Sequence, residues 1–415
     1  MNTNVIHTGD CFEVLTTLPE NSIHAVVSDP PYGLAFMGRD WDDFEPKEYQ
    51  EWCERWAREV RRVLKPGGHL LAFSGNRTHH RLFTGVEDAG FEIRDTLTWH
   101  YGSGFPKASD ISKTIDKRAD AEREVVGTKE YAGGHTQNSN ELDRPIGTFE
   151  MTAGDEREET KPATDAAKKW DGWKTGLKPA TEFVVMARKP YDGATVDCVL
   201  EHGTGALNID GARIESDGSH KRPYQPTNND RNVYGEQEGF RPTNAEGRYP
   251  ANVVFDETAA DALDREVGEL AAGARPKGDH AAAEDSVYGE FSEQSNADRI
   301  ETDSGGPSRY FYTSKASRSE RTEGGSIEND HPTVKPIDLM EWLIKLVTRE
   351  GQTVLDPFCG SGTTCKAAKG LNRQFIGIEK QAKWADVARV RCGLTPNDPS
   401  VVRDDEQQSG LEAYE

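Results

Sequence analysis

Apolar positions fall into two regimes along this chain. In residues 1–105 and 331–394, short apolar runs alternate with stretches of helical spacing; the region between them is mostly polar. Val5-Ile6-His7 reads as a short strand, and Gly9-Asp10-Cys11 turns out of it. Residues 12–18 have helical spacing. The run Ile-His-Ala-Val-Val-Ser at 23–28, bounded by turn residues, predicts a buried strand. Over 49–64, Trp52, Trp56, Val60 and Val63-Leu64 line one face of an amphipathic helix, which Lys65-Pro66-Gly67-Gly68 stops. A strand over 69–74, a helix over 82–89 and a strand over 91–99 follow.

The last block repeats the pattern. Residues 336–348 predict a helix with Leu339, Leu343, Ile344 and Val347 on one face. Strands over 353–355 and 374–378, a helix over 363–369 and a closing helix over 382–391 complete it. Strands alternating with helices imply parallel strands joined by crossovers. The predicted fold is therefore α/β: a Rossmann-like, mostly parallel sheet with helices on both faces and a large polar insertion. That insertion, 106–330, opens with a helical stretch over 111–124. It contains ordered islands at 182–187, 206–214, 251–255 and 310–312. The strands at 182–187 and 251–255 are expected to join the core sheet. Residues 216–248 and 268–307 are rich in Gly, Ser, Asn, Asp and Glu and read as loops or disordered insertions. No internal repeat is evident.

Composition adds three constraints. Only 34% of the 415 residues are hydrophobic, and mean hydropathy is -0.77. No run of about 18 apolar residues exists, so no membrane span is expected. Residues 1–10 lack a basic, apolar leader, so a cytoplasmic location is expected. The six cysteines, Cys11, Cys53, Cys198, Cys359, Cys365 and Cys392, form no CxxC pair, which argues against structural zinc. Reduced thiols and ordinary buried packing are expected, including for Cys359 and Cys365. The net charge of -22 sits badly with binding a polyanion. Either basic residues line a local cleft, or the acidic surface is adapted to very high salt, where phosphate attraction is largely screened.

Two motifs carry chemistry. Strand 353–355 runs into Asp356-Pro357-Phe358-Cys359-Gly360-Ser361-Gly362, followed by a helix. A strand, a glycine turn and a helix let a ligand approach the backbone. Glu379, at the end of the next strand, is placed to bind two ribose hydroxyls. The third glycine of GxGxxG is absent, and Lys366 lacks the flanking residues of a P-loop. A ligand with a ribose but no phosphate chain fits better, and S-adenosylmethionine is one. The second motif, Asp29-Pro30-Pro31-Tyr32, ends strand 23–28. Two prolines fix φ and remove two amide donors. The Asp29 carboxylate and the Pro30 carbonyl can then both accept from one NH2 group, while Tyr32 offers a ring face to a planar base. A rigid turn is the alternative reading of the tetrapeptide alone.

Together and in this order, these residues resemble the amino-methylating DNA methyltransferases, N6-adenine or N4-cytosine type, in the permuted beta arrangement. The resemblance implies that Asp29, Pro30, Pro31 and Tyr32 are catalytic. It implies that Asp10 of Gly9-Asp10 meets the cofactor adenine and that Glu379 holds the ribose. The segment His331-Pro332-Thr333-Val334-Lys335-Pro336 precedes the cofactor strand in this family, which brings in Thr333 and Lys335. The DPFxGSGTT loop brings in Asp356, Phe358, Gly360, Gly362 and Thr363. Residues 1–105 would be the catalytic half, 106–330 the target-recognition insertion, 331–394 the cofactor half and 395–415 an acidic tail. Asp at position 29 favours N6-adenine, since N4-cytosine members often carry Ser there. Phage-like methylase segments extend the resemblance at 104–107, 177–180, 205–210 and 314–318, with no role assigned.

The implied partner is double-stranded DNA, with the target base flipped out of the stack. A homodimer and a separate restriction endonuclease are further partners to be sought. The leading DNA contacts are Arg309, Lys315, Arg318 and Arg321; Lys107, Lys113, Lys117, Arg118, Arg213 and Arg248 are weaker candidates. Tyr310, Phe311 and Tyr312 read as strand core rather than base stackers. Rival readings are methylation of RNA or of protein glutamine, and a non-catalytic DNA-binding protein that keeps the fold.

Overall fold

The structure is a computed structural model that describes residues 1–34, 42, 44–102, 104, 108–130, 156–215, 247–271, 304–314, 320, 322–327, 329, 331 and 333–401. The chain begins with β1 (Val5–Thr8), α1 (Cys11–Thr17), β2 (Ile23–Ser28), α2 (Pro46–Val63), β3 (Leu64–Ser74), α3 (His79–Asp88) and β4 (Glu92–His100). Next come α4 (Ile111–Arg118), β5 (Val125–Glu130), β6 (Glu156–Thr160), α5 (Asp165–Lys169), β7 (Thr181–Arg188), α6 (Thr195–His202), β8 (Val253–Asp256) and α7 (Glu257–Val267). The chain continues through β9 (Leu270–Ala271), β10 (Ser304–Gly305), β11 (Tyr312–Ser314), α8 (Ile337–Val347), β12 (Thr353–Asp356), α9 (Thr363–Gly370), β13 (Gln374–Glu379) and α10 (Ala382–Arg391).

One nine-stranded sheet organises the molecule, in the order β1-β13-β12-β2-β3-β7-β4-β8-β11. Every neighbouring pair is parallel except β3–β7 and β7–β4. Alternate residues along a strand face opposite sides, and the sheet is covered on both. Ala25, Val27, Leu71, Phe73, Val184 and Met186 pack in one core with Leu339, Leu343 and Ile344 of α8. Val26, Leu70, Ala72, Val185 and Ala187 pack in the other with Tyr49, Trp56 and Val60 of α2 and Leu82 and Val86 of α3. The carboxyl ends of β1, β2, β12 and β13 share one edge, where open α/β sheets bind ligands.

The middle of the chain departs from the pattern reading. The helix expected over 111–124 ends at Arg118, because Asp120 adopts φ +51° and breaks the ladder. Residues 125–130 pair instead as β5 with β6. The island at 206–214 holds only a short 3-10 turn at Asp210–Ala212. Strand β3 starts directly at Leu64, through Pro66-Gly67-Gly68, with a register shift against β2 between Ile23 and Ala25. Gly67 sits at φ +73°, and a Cβ there would lie 2.5 Å from the Cys198 sulfur. Among the described residues no helix is long and apolar enough to cross a membrane.

Candidate active site and cofactor cleft

Strand β2 delivers Ser28 and Asp29 to the ligand edge beside Asp356, which ends β12. The Ser28 hydroxyl donates to Asp356 Oδ1 at 2.5 Å, tying the two motifs together across 328 residues of sequence. The Phe358 amide donates to the same oxygen at 3.1 Å. Asp356 is 3% exposed. Burial pushes its carboxyl up, and the bonds from Ser28, Thr364 and the Phe358 amide only partly offset this, leaving it at about 6.

The Asp29-Pro30-Pro31-Tyr32 turn is pinned from several sides. The Tyr49 hydroxyl donates to the Pro31 carbonyl at 2.9 Å. The Gly33 and Leu34 amides donate to the buried Asp42 carboxylate at 2.6 and 3.1 Å. Gly33 has φ +64°, and a Cβ there would meet the Tyr49 ring at 2.7 Å. Tyr32 donates its hydroxyl to Asp29 Oδ1 at 2.7 Å.

Lys335 lies in this pocket. Its ammonium is 2.6 Å from Asp29 Oδ2, 3.2 Å from Glu182 Oε2 and 3.2 Å from the Tyr32 hydroxyl. It also lies 4.9 Å from the Phe73 ring centre. Burial alone would lower this ammonium; Asp29 and Glu182 outweigh it and raise it. Glu182, second residue of β7, is 3.0 Å from the Tyr32 hydroxyl. Burial and the nearby Asp29 charge raise its carboxyl, with Lys335 opposing. Burial, then Asp29 and Glu182, push the Tyr32 hydroxyl well up. Sequence reasoning took 182–187 as core strand and missed Glu182 as a site residue. Its one signal was a carboxylate at the start of an otherwise apolar run.

The glycine loop is equally constrained. Gly360 has φ +49°, and a Cβ there would lie 2.8 Å from His331 Nε2. Gly362 has φ +84°, caps α9, and a Cβ there would lie 2.7 Å from that of Ala388. Buried Arg391 donates to the Ser361 carbonyl at 2.8 Å and the Thr363 hydroxyl at 3.0 Å. Phe358 packs against Trp52 and Trp56 of α2, at 5.3 and 5.5 Å between ring centres. At the end of β13, Glu379 Oε2 accepts from the Gly360 amide at 3.0 Å, and Oε1 from the Gln381 amide at 2.8 Å. Burial is the largest influence raising its carboxyl. Asp10 caps α1 through the Phe12 amide at 3.0 Å, and the Gly9 amide donates to the Glu379 carbonyl at 2.9 Å. A cleft joins the two motifs, lined by Asp29, Thr333, Lys335, Asp356, Phe358, Gly360 and Thr363.

This donor set fits S-adenosylmethionine. The Asp10 and Glu379 carboxylates accept backbone amides and keep further lone pairs with which a sugar hydroxyl could bond. The glycines keep the loop free of side-chain bulk. Lys335, grouped by sequence with the cofactor residues, sits at the junction and makes its closest contact with Asp29.

The expected DNA contacts fare differently. Lys107, Lys315, Arg318 and Arg321 lie outside the described residues. The Arg309 guanidinium donates to the carbonyls of Gly305, of Gly306 at 2.7 Å and of Leu270 at 2.7 Å, at the β9–β10 corner. Arg213 and Arg248 likewise bond nearby backbone carbonyls. Lys117 and Arg118 are exposed at the end of α4. Tyr312 stacks on Trp342 at 5.1 Å, while Tyr310 is 37% exposed. All six cysteines are buried.

The family profile described as DNA methylase, of N6/N4 type, matches residues 23–389. The chain is 25% identical to the type II methyltransferase M.HindIII of Haemophilus influenzae over 94% of this chain and 96% of that protein. A short stretch is 51% identical to the type II methyltransferase M2.DpnII of Streptococcus pneumoniae, over 15% of this chain and 23% of that one. Among solved structures, the cytosine-N4-specific PvuII DNA methyltransferase aligns at TM-score 0.47 and 15% identity, covering 100% of this chain and 92% of that one. A Thermus thermophilus protein, described as a putative DNA modification methylase and complexed with S-adenosyl-L-methionine, aligns at 0.41 and 17%, covering 94% and 93%. The chain belongs to the N6/N4 DNA methylase family.

Proposed function

We propose that the protein methylates the exocyclic amino nitrogen of a base flipped out of double-stranded DNA at a specific sequence, N6 of adenine ahead of N4 of cytosine. The observation that carries this is the position of the Asp29 carboxylate, fixed beside the cofactor loop through Ser28 and Asp356. S-adenosylmethionine supplies an electrophilic methyl on a sulfonium, already a good leaving group. Asp29 and the Pro30 carbonyl accept the two amino hydrogens of the target, which frees the nitrogen lone pair for in-line attack, and the surplus proton of the methylated nitrogen leaves along its hydrogen bond to Asp29. Tyr32 positions Asp29 and presents its ring to the base. Lys335 holds Asp29 from its other side, and Glu182 in turn holds Lys335 and Tyr32. The reaction is then chiefly one of positioning, with no covalent enzyme intermediate. The adenine preference rests on Asp at position 29.

The test is methyl transfer from tritiated S-adenosylmethionine to duplex DNA, followed by digestion to nucleosides. Label in N6-methyl-2′-deoxyadenosine is expected. Label in N4-methyl-2′-deoxycytidine would reverse the base preference, and label in neither would overturn the function. The acidic surface further supports a very saline working environment. Activity and stability are expected to rise towards molar KCl; an optimum at low salt would refute that part.

A further inference from the structure

The segment between β4 and β7 carries a lysine-rich feature in an otherwise acidic chain. Residues 161–178 hold five Lys against two Asp, in a protein of net charge -22. They also hold Trp170 and Trp173, which are 40% and 60% exposed. The two rings meet edge to face at 5.0 Å. Lys161, Lys168, Lys169, Lys174 and Lys178, in the same segment, are all exposed.

Large apolar rings on a surface usually collapse onto the protein or mark an interaction site. Here the backbone holds them out. The Ile111 amide donates to the Trp173 carbonyl at 3.0 Å, and the Thr175 amide to the Ser109 carbonyl at 3.0 Å. Below them, the buried Asp116 side chain accepts from the Ala163 and Thr164 amides and the Thr164 hydroxyl, at 3.0, 3.0 and 2.8 Å, and from Arg123. Burial opposes ionisation of Asp116, but these donors outweigh it and hold the carboxyl at about 2. Thr164 then caps α5, which leads into Trp170.

The platform also stands at the catalytic edge. Strand β4 runs in the same direction as β2, since each is reached from the other through β3 and the two antiparallel steps at β7. The chain therefore leaves β4 and re-enters β7 at the edge that bears Asp29. The Lys178 ammonium bonds the Gly102 carbonyl at the base of this excursion. Trp173 is nine residues from Glu182, which touches Tyr32; nine extended residues span at most about 32 Å. The existing ion pairs, the exposed Lys168–Asp165 and the long, half-buried Lys174–Asp110 at 3.7 Å, are weak enough to exchange for phosphate.

We infer that the Trp170–Trp173 turn with its lysines is the face that grips double-stranded DNA beside the flipped base. The lysines meet phosphates, and Trp173 stacks on bases unstacked next to the target. This rests on the function proposed above and names where the duplex is held. Stacking of one base on an aromatic ring is worth roughly a five- to 150-fold change in affinity on truncation. Each phosphate neutralised adds about 0.9 to the slope of log K against log salt.

The test uses a fluorescein-labelled duplex cut from DNA that the wild-type protein methylates, titrated by anisotropy from low to molar KCl. W173A should weaken binding about tenfold or more at every salt concentration, while W173F retains most of the affinity. The triple variant K168E/K169E/K174E should weaken binding at low salt, flatten the salt slope by about 2 to 3, and approach wild type in molar KCl, where charges are screened. S-adenosylmethionine affinity should not change in any of them. Duplex affinity and slope equal to wild type in folded variants would overturn the inference while leaving the methyltransferase function intact. Failure of the wild-type protein to methylate any DNA would instead remove the function on which the inference rests. If W173A does not fold, W173F and the lysine variant still decide the matter.

Discussion

Asp356→Asn isolates the electrostatic cost of the motif that joins both halves of the site. Asp356 is buried, and its carboxyl is raised from the ordinary 3.8 to about 6. An acid whose folded value is raised holds its proton more tightly in the native state. Its stabilising contribution is complete below about pH 4 and is lost as pH rises through about 6. A shift of about two units corresponds to about 3 kcal/mol. The substituted asparagine keeps an oxygen in place of Oδ1 to accept from Ser28 and from the Phe358 amide, and it never ionises. The difference in unfolding free energy, variant minus wild type, should therefore move in favour of the variant by about 3 kcal/mol between pH 4 and pH 7. Urea unfolding followed by tryptophan fluorescence at several pH values measures it. Because the group is buried, added salt should change the difference little. A difference flat across this window would refute the claim that burial outweighs the hydrogen bonds to Asp356 and raises its carboxyl.

Three further substitutions probe separate parts of the site. Glu182→Gln removes a charge that touches Lys335 and Tyr32; kcat should fall roughly ten- to hundredfold, matching a charge-assisted hydrogen bond of about 1.5–3 kcal/mol. Its S-adenosylmethionine affinity should stay near wild type by calorimetry, and unchanged kcat would show that Glu182 does not support the chemistry. Glu379→Ala deprives the Gly360 and Gln381 amides of their acceptor and should weaken S-adenosylmethionine binding at least about tenfold, or about 1.4 kcal/mol; an unchanged dissociation constant would refute the ribose role. Gly362→Ala forces an L-residue into the left-handed region at about 1–2 kcal/mol and drives its Cβ against Ala388. A lower melting temperature and weaker cofactor binding are expected, and wild-type values in both would contradict the packing described for the loop.

The ligand edge was legible because its residues are consecutive in sequence. Ile23–Ser28 with Asp29-Pro30-Pro31-Tyr32, and Thr353–Asp356 with its glycine turn, each combine a buried strand and an unusual turn within a dozen residues. Glu182 was not legible, since 153 residues separate it from Asp29 and only the antiparallel insertion of β7 brings them together. β6, with the sequence Glu-Arg-Glu-Glu-Thr, has no apolar residue to show a period and exists through pairing with β5. α6 and α7 bury few residues, so their apolar stripes are too narrow to stand out. The carbonyl partners of Arg309 come from a corner that closes only in three dimensions, so its bonds to Gly306 and Leu270 leave no trace in the sequence.

The most direct measurement is modification-sensitive sequencing of DNA from cells expressing either the wild-type protein or Asp29→Ala. The wild type should leave N6-methyladenine at one fixed sequence, and Asp29→Ala, still able to bind S-adenosylmethionine, should leave none. Methylation that persists at the same sites in the Asp29→Ala cells would contradict the assignment of this carboxylate as the group that accepts the target amine.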